Sequence, residues 1–322
     1  MRPGDAFGSY TIREPLGEGG FSQVFRAYNP RRRETVALKL LHPSVTHTEE
    51  GRQRFLREVV ASRRLRHRHI VPVYETGIHE DRAFLVMRLM RGGTLAARLD
   101  HTPILDWGSA ALVIRHTARA LDHARRLGVI HRDVKPSNIF YYDDEQRLVC
   151  LGDFGLAKVR GLATVTRMGQ VIGSIYYMAP EQVRGLAFTT ERSDVYSLGV
   201  VLYEMLTGRV PFQGQSQAGI LHAIVHAEPP RPRQYNGKIT PEMERVIMRA
   251  LSKGPERRPA TAGDLAAAFQ ATLPRKYATP RARPHPDQNK VAGRSPATTR
   301  PDVWIAVLGA LAIILLLLYL AT

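Results

Sequence analysis

Short runs in which apolar and polar residues alternate dominate the first ninety residues. A period of two in segments rich in β-branched and aromatic residues predicts strands. The runs are Tyr10–Leu16, Gln23–Tyr28, Thr35–Leu41, Val71–Gly77 and Ala83–Leu89. One segment, residues 49–65, has the period of a helix instead. Residues 10–91 are therefore predicted to form a small sheet that carries one helix.

The pattern changes to helical periods after residue 91. The predicted helices are Trp107–Leu127, Asp194–Thr207, Gln215–His226, Pro241–Leu251 and Ala262–Leu273. A β-rich lobe at 10–91 is thus followed by a mainly helical lobe at 92–273, an α+β arrangement. Residues 1–9 are predicted to be an N-terminal tail. A chain of 322 residues has room for about two such units.

An apolar segment lies at the end of the sequence. Val303–Leu320 contains 18 residues without a charge, and as a helix it would span about 27 Å. Trp304 and Tyr319 lie near its two ends, where aromatic rings favour the headgroup level. A buried core helix is the alternative, but such a helix usually has a polar stripe and this segment has none. The segment is predicted to be a transmembrane helix.

A basic, proline-rich linker precedes this segment. Residues 274–302 contain six prolines, seven Lys or Arg and two acids, a net charge of +5. This composition predicts an extended juxtamembrane linker, attracted to an anionic leaflet of the bilayer. Because cytoplasmic flanks carry the excess of basic residues, everything before residue 303 is expected to be cytoplasmic. The start of the chain has no apolar run, so no signal peptide is expected.

Composition narrows the class of protein further. The single cysteine, Cys150, cannot form an intrachain disulfide, which favours a reducing compartment. The 46 Lys and Arg exceed the 29 Asp and Glu by 17, a charge that attracts anionic lipid, acidic protein or nucleic acid. No zinc-finger spacing, aromatic RNA-binding motif or basic zipper accompanies the charge. Nucleic acid is therefore not an expected partner.

A glycine-rich turn joins the first two strong strand signals. Gly17, Gly19 and Gly20 lie just before Val24, and residues without side chains let backbone N–H groups approach phosphate oxygens. On its own, this pattern also fits an ordinary hairpin turn.

Fifteen residues after Val24, the apolar run 36–39 ends in Lys39, which is costly to bury without a partner. Glu58, on the apolar side of the helical segment, could supply the opposite charge. A solvated surface pair is the alternative.

Three motifs in the second lobe decide whether the glycine turn and Lys39 belong to a phosphate-binding site or to an ordinary hairpin and a surface ion pair. They are HRDVKPSN at 131–138, DFG at 153–155 and APE at 179–181. In these motifs the chain resembles the eukaryotic-like protein kinases, and specifically the bacterial membrane-anchored Ser/Thr kinases. The resemblance covers residues 10–273 and implies the two-lobed protein kinase fold. It also implies ATP as phosphoryl donor and two Mg²⁺ ions, with Mn²⁺ able to replace them.

The resemblance assigns the nucleotide and metal contacts. Lys39 would hold the α and β phosphates, locked by Glu58, and Met87 would be the gatekeeper. Asp153 and Asn138 would hold the two metal ions, since both offer hard oxygen ligands. The residues expected to bind nucleotide are Gly17, Gly19, Gly20, Val24, Lys39, Glu58, Met87, Asn138 and Asp153.

The same resemblance assigns the transfer step. Asp133 would orient the substrate hydroxyl and accept its proton, and Lys135 would lie near the transferring phosphate. A lysine at that position marks Ser/Thr specificity in this family, so Ser and Thr side chains of proteins are the expected substrates. His131 is interpreted as a packing and hydrogen-bonding residue.

Between the DFG and APE motifs lies the activation segment. Thr164 and Thr166 are the expected phosphorylation sites, modified by another copy of the chain in a transient dimer, and Arg132 would pair with the phosphate. Ser174 resembles a family threonine that contacts the catalytic Asp and Lys. Glu181 is expected to pair with Arg258, and Asp194 to brace the catalytic loop; these are structural roles.

Two departures from the family pattern stand out. Ser22 replaces the third glycine of the phosphate loop, and Arg88 replaces an acid usual in the hinge. Neither removes a group that touches phosphate, so an active kinase is the leading hypothesis and a membrane-tethered pseudokinase scaffold the alternative. His67 and His69 could be metal ligands or residues of a solvated turn. No third metal ligand has a suitable spacing, so they are interpreted as residues of a solvated turn.

Overall fold

Antiparallel strands dominate the N-terminal lobe of the computed structural model, which describes residues 1–19, 22–53, 55–56, 64–154 and 174–277. Six strands form one sheet in the order β1-β2-β3-β4-β6-β5. Their bounds are Ala6–Phe7 (β1), Tyr10–Gly19 (β2), Ser22–Asn29 (β3), Glu34–Leu41 (β4), Val73–His79 (β5) and Arg82–Arg88 (β6). The five strands predicted from the sequence are β2 to β6.

Strand β4 shows how the alternation of residues positions Lys39. Side chains alternate between the two faces of a strand, so Leu38 and Leu40 enter one apolar cluster together with Phe25. Ala37 and Leu41 enter a second cluster on the opposite face. Lys39 shares that second face by register and is only 4% exposed. The lysine therefore lies under the sheet, on the side that faces the helical lobe.

The first nine residues, expected as a tail, contribute to the sheet. β1 pairs with β2, with Phe7 opposite Tyr10. The Phe7 ring makes edge contacts with His79 at 4.9 Å and Phe84 at 5.4 Å, measured between ring centroids. β1 therefore covers the outer edge of β2, while the Phe7 ring packs on side chains of β5 and β6. Residues 49–53 and 55–56 are helical, within the single helix predicted for this lobe, and Phe55 is fully buried.

Seven helices form the described part of the second lobe. They are Leu95–His101 (α1), Trp107–Arg126 (α2), Pro180–Arg184 (α3), Glu191–Thr207 (α4), Gln217–His226 (α5), Pro241–Ala250 (α6) and Ala262–Ala271 (α7). Five of them were predicted to within three residues at each end. α1 and α3 are too short for their periodicity to be recognised in the sequence.

Side-chain caps set several of these helix boundaries. Asp106 accepts from the backbone N–H of Ser109 and begins α2, and Thr240 accepts from Met243 before Pro241 begins α6. Such caps satisfy N–H groups that have no partner within the helix. α4 runs through the centre of the lobe and is apolar on almost all sides, with 14 of its 17 residues buried.

Two short strands lie between the lobes. Ile139–Tyr141 (β7) and Val149–Leu151 (β8) pair antiparallel, and Leu151 also bridges to Ile70 of the first lobe. Cys150 is buried in β8, and burial raises the pKa of its thiol to about 12. The strands place residues 131–138 and Asp153 at the junction of the lobes.

The compact unit extends slightly past the predicted end of the second lobe. Residues 1–278 form one unit by their contacts, and its last described residues pack back on α2. Tyr277 meets Trp107 with ring centroids 6.0 Å apart and accepts a 3.0 Å hydrogen bond from Gln270 at its carbonyl. No helix within the described residues is long and apolar enough to cross a bilayer. The predicted linker and apolar segment, apart from residues 274–277, lie outside the described residues.

Candidate active site

A buried aspartate of α4 holds the backbone of the loop at 131–138. Asp194 accepts hydrogen bonds from the N–H groups of His131 and Arg132, each at 2.8 Å. Arg132 has a φ of 68°, in the left-handed region that costs a non-glycine residue about 1 kcal/mol or more. Burial raises the pKa of Asp194 despite these bonds, so the carboxylate depends on them for solvation. This bracing role was expected from the sequence.

His131 connects the loop to the strand that precedes Asp153. Its Nε2 lies 2.7 Å from the carbonyl oxygen of Gly152, and its ring packs edge-on against Phe154 with centroids 4.5 Å apart. The side chain is fully buried. These contacts fit a packing and hydrogen-bonding residue.

Asp133 forms a polar cluster with Lys135, Asn138 and Ser174. Lys135 Nζ donates to Asp133 Oδ2 at 2.9 Å and to Ser174 Oγ at 2.5 Å. Asn138 Nδ2 donates to Asp133 Oδ2 at 3.1 Å and to its carbonyl at 2.7 Å. The carboxylate is thus oriented from two sides, by an ammonium and by an amide. Ser174 comes from a segment some forty residues downstream.

A second ion pair lies beside this cluster. Lys39 Nζ contacts Asp153 Oδ2 at 2.5 Å, and only 6% and 10% of the two side chains are exposed. Asp153 has a φ of 64°, a second left-handed residue in the site. The carbonyl of Asn138 accepts a 2.9 Å hydrogen bond from Gly152, the residue before Asp153. Glu58, the predicted partner of Lys39, lies outside the described residues.

The glycine turn leaves room for a ligand. In the β2–β3 register Gly17 faces Val24 and Gly19 faces Ser22. A Cβ added at Gly17 would meet no atom within 4 Å, and one added at Gly19 would meet only the Ser22 carbonyl, at 3.9 Å. The backbone here is accessible, as phosphate binding requires. Gly20 lies outside the described residues.

An apolar slot continues from the glycine turn. Val24 is directly opposite Lys39 in the β3–β4 register, and Met87 is opposite Ala37 in β4–β6. Val24 and Phe140 pack against the same cluster as Ala37 and Met87. The slot is therefore bounded by both lobes, as a flat aromatic base requires. Sequence reasoning missed Ala37 and Phe140: Ala37 lies in the run 36–39 but carries no polar group that marks it, and Phe140 lies outside the motifs.

A small cavity lies behind Met87. It is lined by Ile70, Val71, Val73, Leu85, Met87, Gly152, Asp153 and Phe154. Met87 is only 9% exposed and forms part of the wall of this cavity. The position agrees with the gatekeeper role that the resemblance implies.

The oxygen ligands of Asp153 and Asn138 fit divalent metal ions that phosphate groups help to bind. Asp153 and Asn138 offer oxygen atoms at the junction of the lobes, the ligand type that Mg²⁺ prefers. Among the described residues, no group of three or more His, Cys, Asp or Glu side chains could hold a metal by itself. Mg²⁺ commonly binds through one or two protein oxygens plus phosphates and water, so two side chains suffice.

The activation segment is only partly described. Residues 155–173, which include Thr164 and Thr166, lie outside the described residues. Arg132, the expected partner of a phosphate there, has a buried Nε without a hydrogen-bond partner in the described part of the chain. Its carbonyl accepts a 3.0 Å hydrogen bond from Gln182 of α3. A buried guanidinium nitrogen of this kind has capacity for one more acceptor.

The Glu181–Arg258 ion pair fixes the end of that segment. The two charged groups make a bidentate contact, Nη1 to Oε1 at 2.7 Å and Nη2 to Oε2 at 2.8 Å. Ser193 adds a 2.6 Å hydrogen bond to Glu181. Burial alone would raise the pKa of Glu181, but the bonds from Arg258 and Ser193 outweigh it and lower the pKa.

The interpretation of His69 as a solvated residue is wrong. His69 is fully buried, and its Nδ1 lies 3.0 Å from the Val149 carbonyl. Two histidines of α2, distant in sequence, join the pair: the ring centroids of His69 and His116 are 4.1 Å apart, and those of His67 and His123 are 4.9 Å apart. The four rings form one row, which we call the histidine column: two stacked pairs joined by a tilted contact between His67 and His69, with centroids 5.4 Å apart. Stacked rings direct their nitrogens sideways, and no metal cluster occurs among the residues described.

Comparison with known proteins gives a consistent result. A family model described as "Protein kinase domain" matches residues 10–270. Serine/threonine-protein kinase PknE of Mycobacterium tuberculosis (strain H37Rv) is 38% identical over 272 residues, which are 84% of this chain and 47% of that protein. Serine/threonine-protein kinase PrkC of Bacillus subtilis (strain 168) is 34% identical over 260 residues, 81% of this chain and 40% of that protein. The chain thus spans less than half the length of these two relatives.

Solved structures are similar over the same region. The Mycobacterium tuberculosis PknI kinase domain has a TM-score of 0.67 and 26% identity, covering 85% of this chain and all of that one. The structure of Rad53 1–466 in complex with AMP-PNP has a TM-score of 0.67 and 25% identity, covering 80% of this chain and 64% of that one. The shared region is the pair of lobes described above.

Proposed function

Because the chain belongs to the protein kinase domain family, we propose that it transfers the γ-phosphoryl group of ATP to serine and threonine hydroxyls of proteins. One observation carries the proposal. Lys135 joins the Asp133 carboxylate to the Ser174 hydroxyl, and this cluster lies beside the Lys39–Asp153 pair. A proton acceptor, a phosphate-binding cation and a metal-binding carboxylate are thereby assembled at one junction.

The transfer needs a base that is held in place. Asp133 Oδ2 accepts from Lys135 and Asn138, and these two bonds fix the orientation of the carboxylate. The carboxylate would accept the proton of the substrate hydroxyl as the hydroxyl oxygen bonds to the γ-phosphorus and the bond from that phosphorus to the ADP oxygen breaks. Lys135 would then stabilise the charge on the transferring phosphoryl oxygens, which is the main task of a phosphoryl-transfer site.

The nucleotide would be held from both lobes. The accessible backbone of Gly17 and Gly19 would contact the phosphates, and Val24, Ala37, Met87 and Phe140 would enclose the base. Lys39 would contact the α and β phosphates, with Glu58 as its predicted partner. The similarity to a kinase solved with AMP-PNP supports the choice of ATP.

Asp153 and Asn138 would hold Mg²⁺. When bound, the ions supply positive charge that neutralises the phosphates and aligns them for in-line transfer. Lys39 Nζ contacts Asp153 Oδ2 in the structure, and the same carboxylate would serve as a ligand of the metal. Two ions are proposed, because Asn138 and Asp153 come from separate loops, and Mn²⁺ could replace them.

Regulation would act through the activation segment. Phosphorylation of Thr166 or Thr164 by a second copy would supply the acceptor that the buried Nε of Arg132 lacks among the described residues. Gln182 couples the Arg132 carbonyl to the helix that follows the segment. Ordering of the phosphorylated loop would thus be transmitted to the residues beside Asp133.

We further propose that residues 303–320 anchor the chain in a membrane as a single span. The support is the 18-residue apolar run and the +5 charge of residues 274–302 on one side of it. The kinase lobes would then lie on the cytoplasmic side, close to an anionic leaflet. Fractionation tests this directly, because a full chain recovered without detergent in the soluble fraction would contradict it.

The decisive test of the kinase proposal uses the purified full chain with labelled ATP, Mg²⁺ and a generic protein substrate. Asp133→Asn and Lys39→Met should each abolish phosphate incorporation while leaving the circular dichroism spectrum unchanged. Arg257→Gln is the matched control, since its side chain is 80% exposed. ATP binding without transfer by the unmodified chain would instead indicate a pseudokinase scaffold.

A further inference from the structure

Exposed arginines lie on the loop that enters β5 and on α2, outside the active site. Arg64, Arg66 and Arg68 alternate along the loop that enters β5, and Arg119 and Arg126 lie on α2. All five are exposed. None forms an ion pair with a described carboxylate. We call these five residues the arginine face.

Electrostatic effects on the histidine column show that the loop and the helix contribute to one positive region. Burial is the largest cause that lowers the pKa of His67 to about 4. The charges that lower it further belong to His123, Arg126, Arg68 and Arg119. The same Arg68 and Arg119 lower the pKa of the buried His69. Every one of these charged neighbours is basic. The charges that act on these two histidines from the loop and from α2 are therefore of one sign.

The nearest acid of α2 is directed elsewhere. Asp122 is half-buried, and its Oδ2 accepts a 3.1 Å hydrogen bond from the backbone N–H of Gly263, at the start of α7. Burial raises the pKa of this carboxyl group. Asp122 therefore supports the packing of α7 on α2, and it offsets in part the charge of Arg126, which acts to lower the pKa of this carboxyl group.

An exposed leucine adjoins the arginines. Leu127 caps the end of α2, directly after Arg126, and is 52% exposed. The cavities behind Met87 and between α6 and α7 lie elsewhere, so these side chains form an open surface. An open basic surface with an apolar tip suits a planar array of anionic headgroups over an acyl layer. A small anion would need a concave site.

We propose that the arginine face and Leu127 bind the kinase lobes to an anionic lipid leaflet. The inference rests on the proposed membrane anchor, because the 25 residues between Tyr277 and Val303 can span at most about 90 Å. Tethering at that range makes a weak surface effective, since binding becomes intramolecular. Each arginine near an anionic leaflet adds about 1 kcal/mol. The bound face would orient the lobes on the membrane.

Vesicle binding by the compact unit, residues 1–277, tests the surface without the anchor. Binding to phosphatidylcholine vesicles with 30% phosphatidylglycerol is expected at about 0.1 M salt and should weaken steeply towards 0.5 M. Arg68→Gln/Arg119→Gln/Arg126→Gln should weaken it about 10-fold or more. Arg31→Gln/Arg33→Gln/Arg231→Gln removes three exposed charges elsewhere and should weaken it far less.

The full chain in lipid nanodiscs tests the orientation. Leu127→Cys carrying an environment-sensitive fluorophore should shift to the blue on anionic discs and not on neutral ones. Phe188→Cys, at another exposed apolar residue, is the control and should not shift. Cys150 is buried and should not be labelled.

Three outcomes would overturn the proposal: equal loss of binding in both triple variants, equal fluorescence shifts at residues 127 and 188, or binding to nucleic acid or acidic protein in preference to vesicles. Failure of the full chain to enter nanodiscs would contradict the anchor alone, because the vesicle assay omits residues 303–320. Phosphoryl transfer by the arginine-face variant reports separately on the kinase proposal and should equal that of the unmodified chain.

Discussion

Arg258 and Glu181, 77 residues apart in sequence, form a bidentate ion pair in which the arginine side chain is completely buried. The pair joins the helix after the activation segment to the loop before α7. Arg258 also donates to the carbonyls of Arg192, Ser252 and Lys253, so few of its N–H groups lack an acceptor. The activation segment therefore ends at a fixed point of the helical lobe.

Replacement of Arg258 should destabilise the lobe strongly. Arg258→Ala would leave Glu181 buried without its cation, which typically costs about 3–5 kcal/mol. Chemical denaturation of the purified chain measures the loss. Arg257→Ala, at the neighbouring exposed arginine, should change stability by less than about 0.5 kcal/mol. A loss below about 1 kcal/mol in Arg258→Ala would show that the pair is dispensable.

The histidine column should make the fold sensitive to acid. Burial, and to a smaller extent the neighbouring charges, lower the pKa of His116 to about 2. Burial also lowers the pKa of His69 to about 3, because the hydrogen bond to the Val149 carbonyl offsets it only in part. Their ordinary pKa is 6.5, so below that pH the unfolded state binds more protons than the folded state. Stability should therefore fall as the pH decreases from about 6.5 towards 4.

The slope of this loss can be assigned to individual histidines. Each buried neutral histidine contributes about 2 kcal/mol to the difference in stability between pH 7 and pH 5. His69→Gln and His116→Gln should each reduce that difference by this amount, measured by urea denaturation at both pH values. His101→Gln, at an exposed position, is the control. Identical pH differences in all variants would contradict the argument.

Ser174 should affect the transfer step more than nucleotide binding. Its hydroxyl accepts a hydrogen bond from Lys135, and a bond to a charged group is worth about 1.5–3 kcal/mol. Ser174→Ala should therefore lower kcat about 10-fold to 100-fold and leave the KM for ATP nearly unchanged. Ser174→Thr keeps the hydroxyl and should retain most activity. A rise in the KM for ATP with unchanged kcat would place Ser174 outside the transfer step.

Ala37 should limit the size of the nucleotide slot. It lies opposite Met87 and is 8% exposed on the face shared with Lys39. Ala37→Leu adds three carbon atoms there and should raise the KM for ATP about 10-fold or more, with little change in the KM for protein substrate. Ala27→Leu, in the cluster on the other face of the sheet, controls for overpacking. An equal effect of both variants would contradict the assignment of the slot.

Much of the fold follows from the order of residues along the chain. Period-two and helical patterns predicted β2 to β6 and five of the seven described helices, because side-chain spacing decides which residues can share a buried face. The motifs at 131–138, 153–155 and 179–181 identified the family through residue type and spacing. The pairing of Glu181 with Arg258 and the bracing by Asp194 were expected on the same basis.

Tertiary structure decided which distant residues meet. His67 and His69 acquire neighbours at His123 and His116 only when α2 packs under their loop, and this packing buries His69, which the sequence placed in a solvated turn. Ala37 and Phe140 border one slot because the two lobes close around it. Packing brings such residues together through non-local contacts, and these leave no periodicity or motif in the sequence.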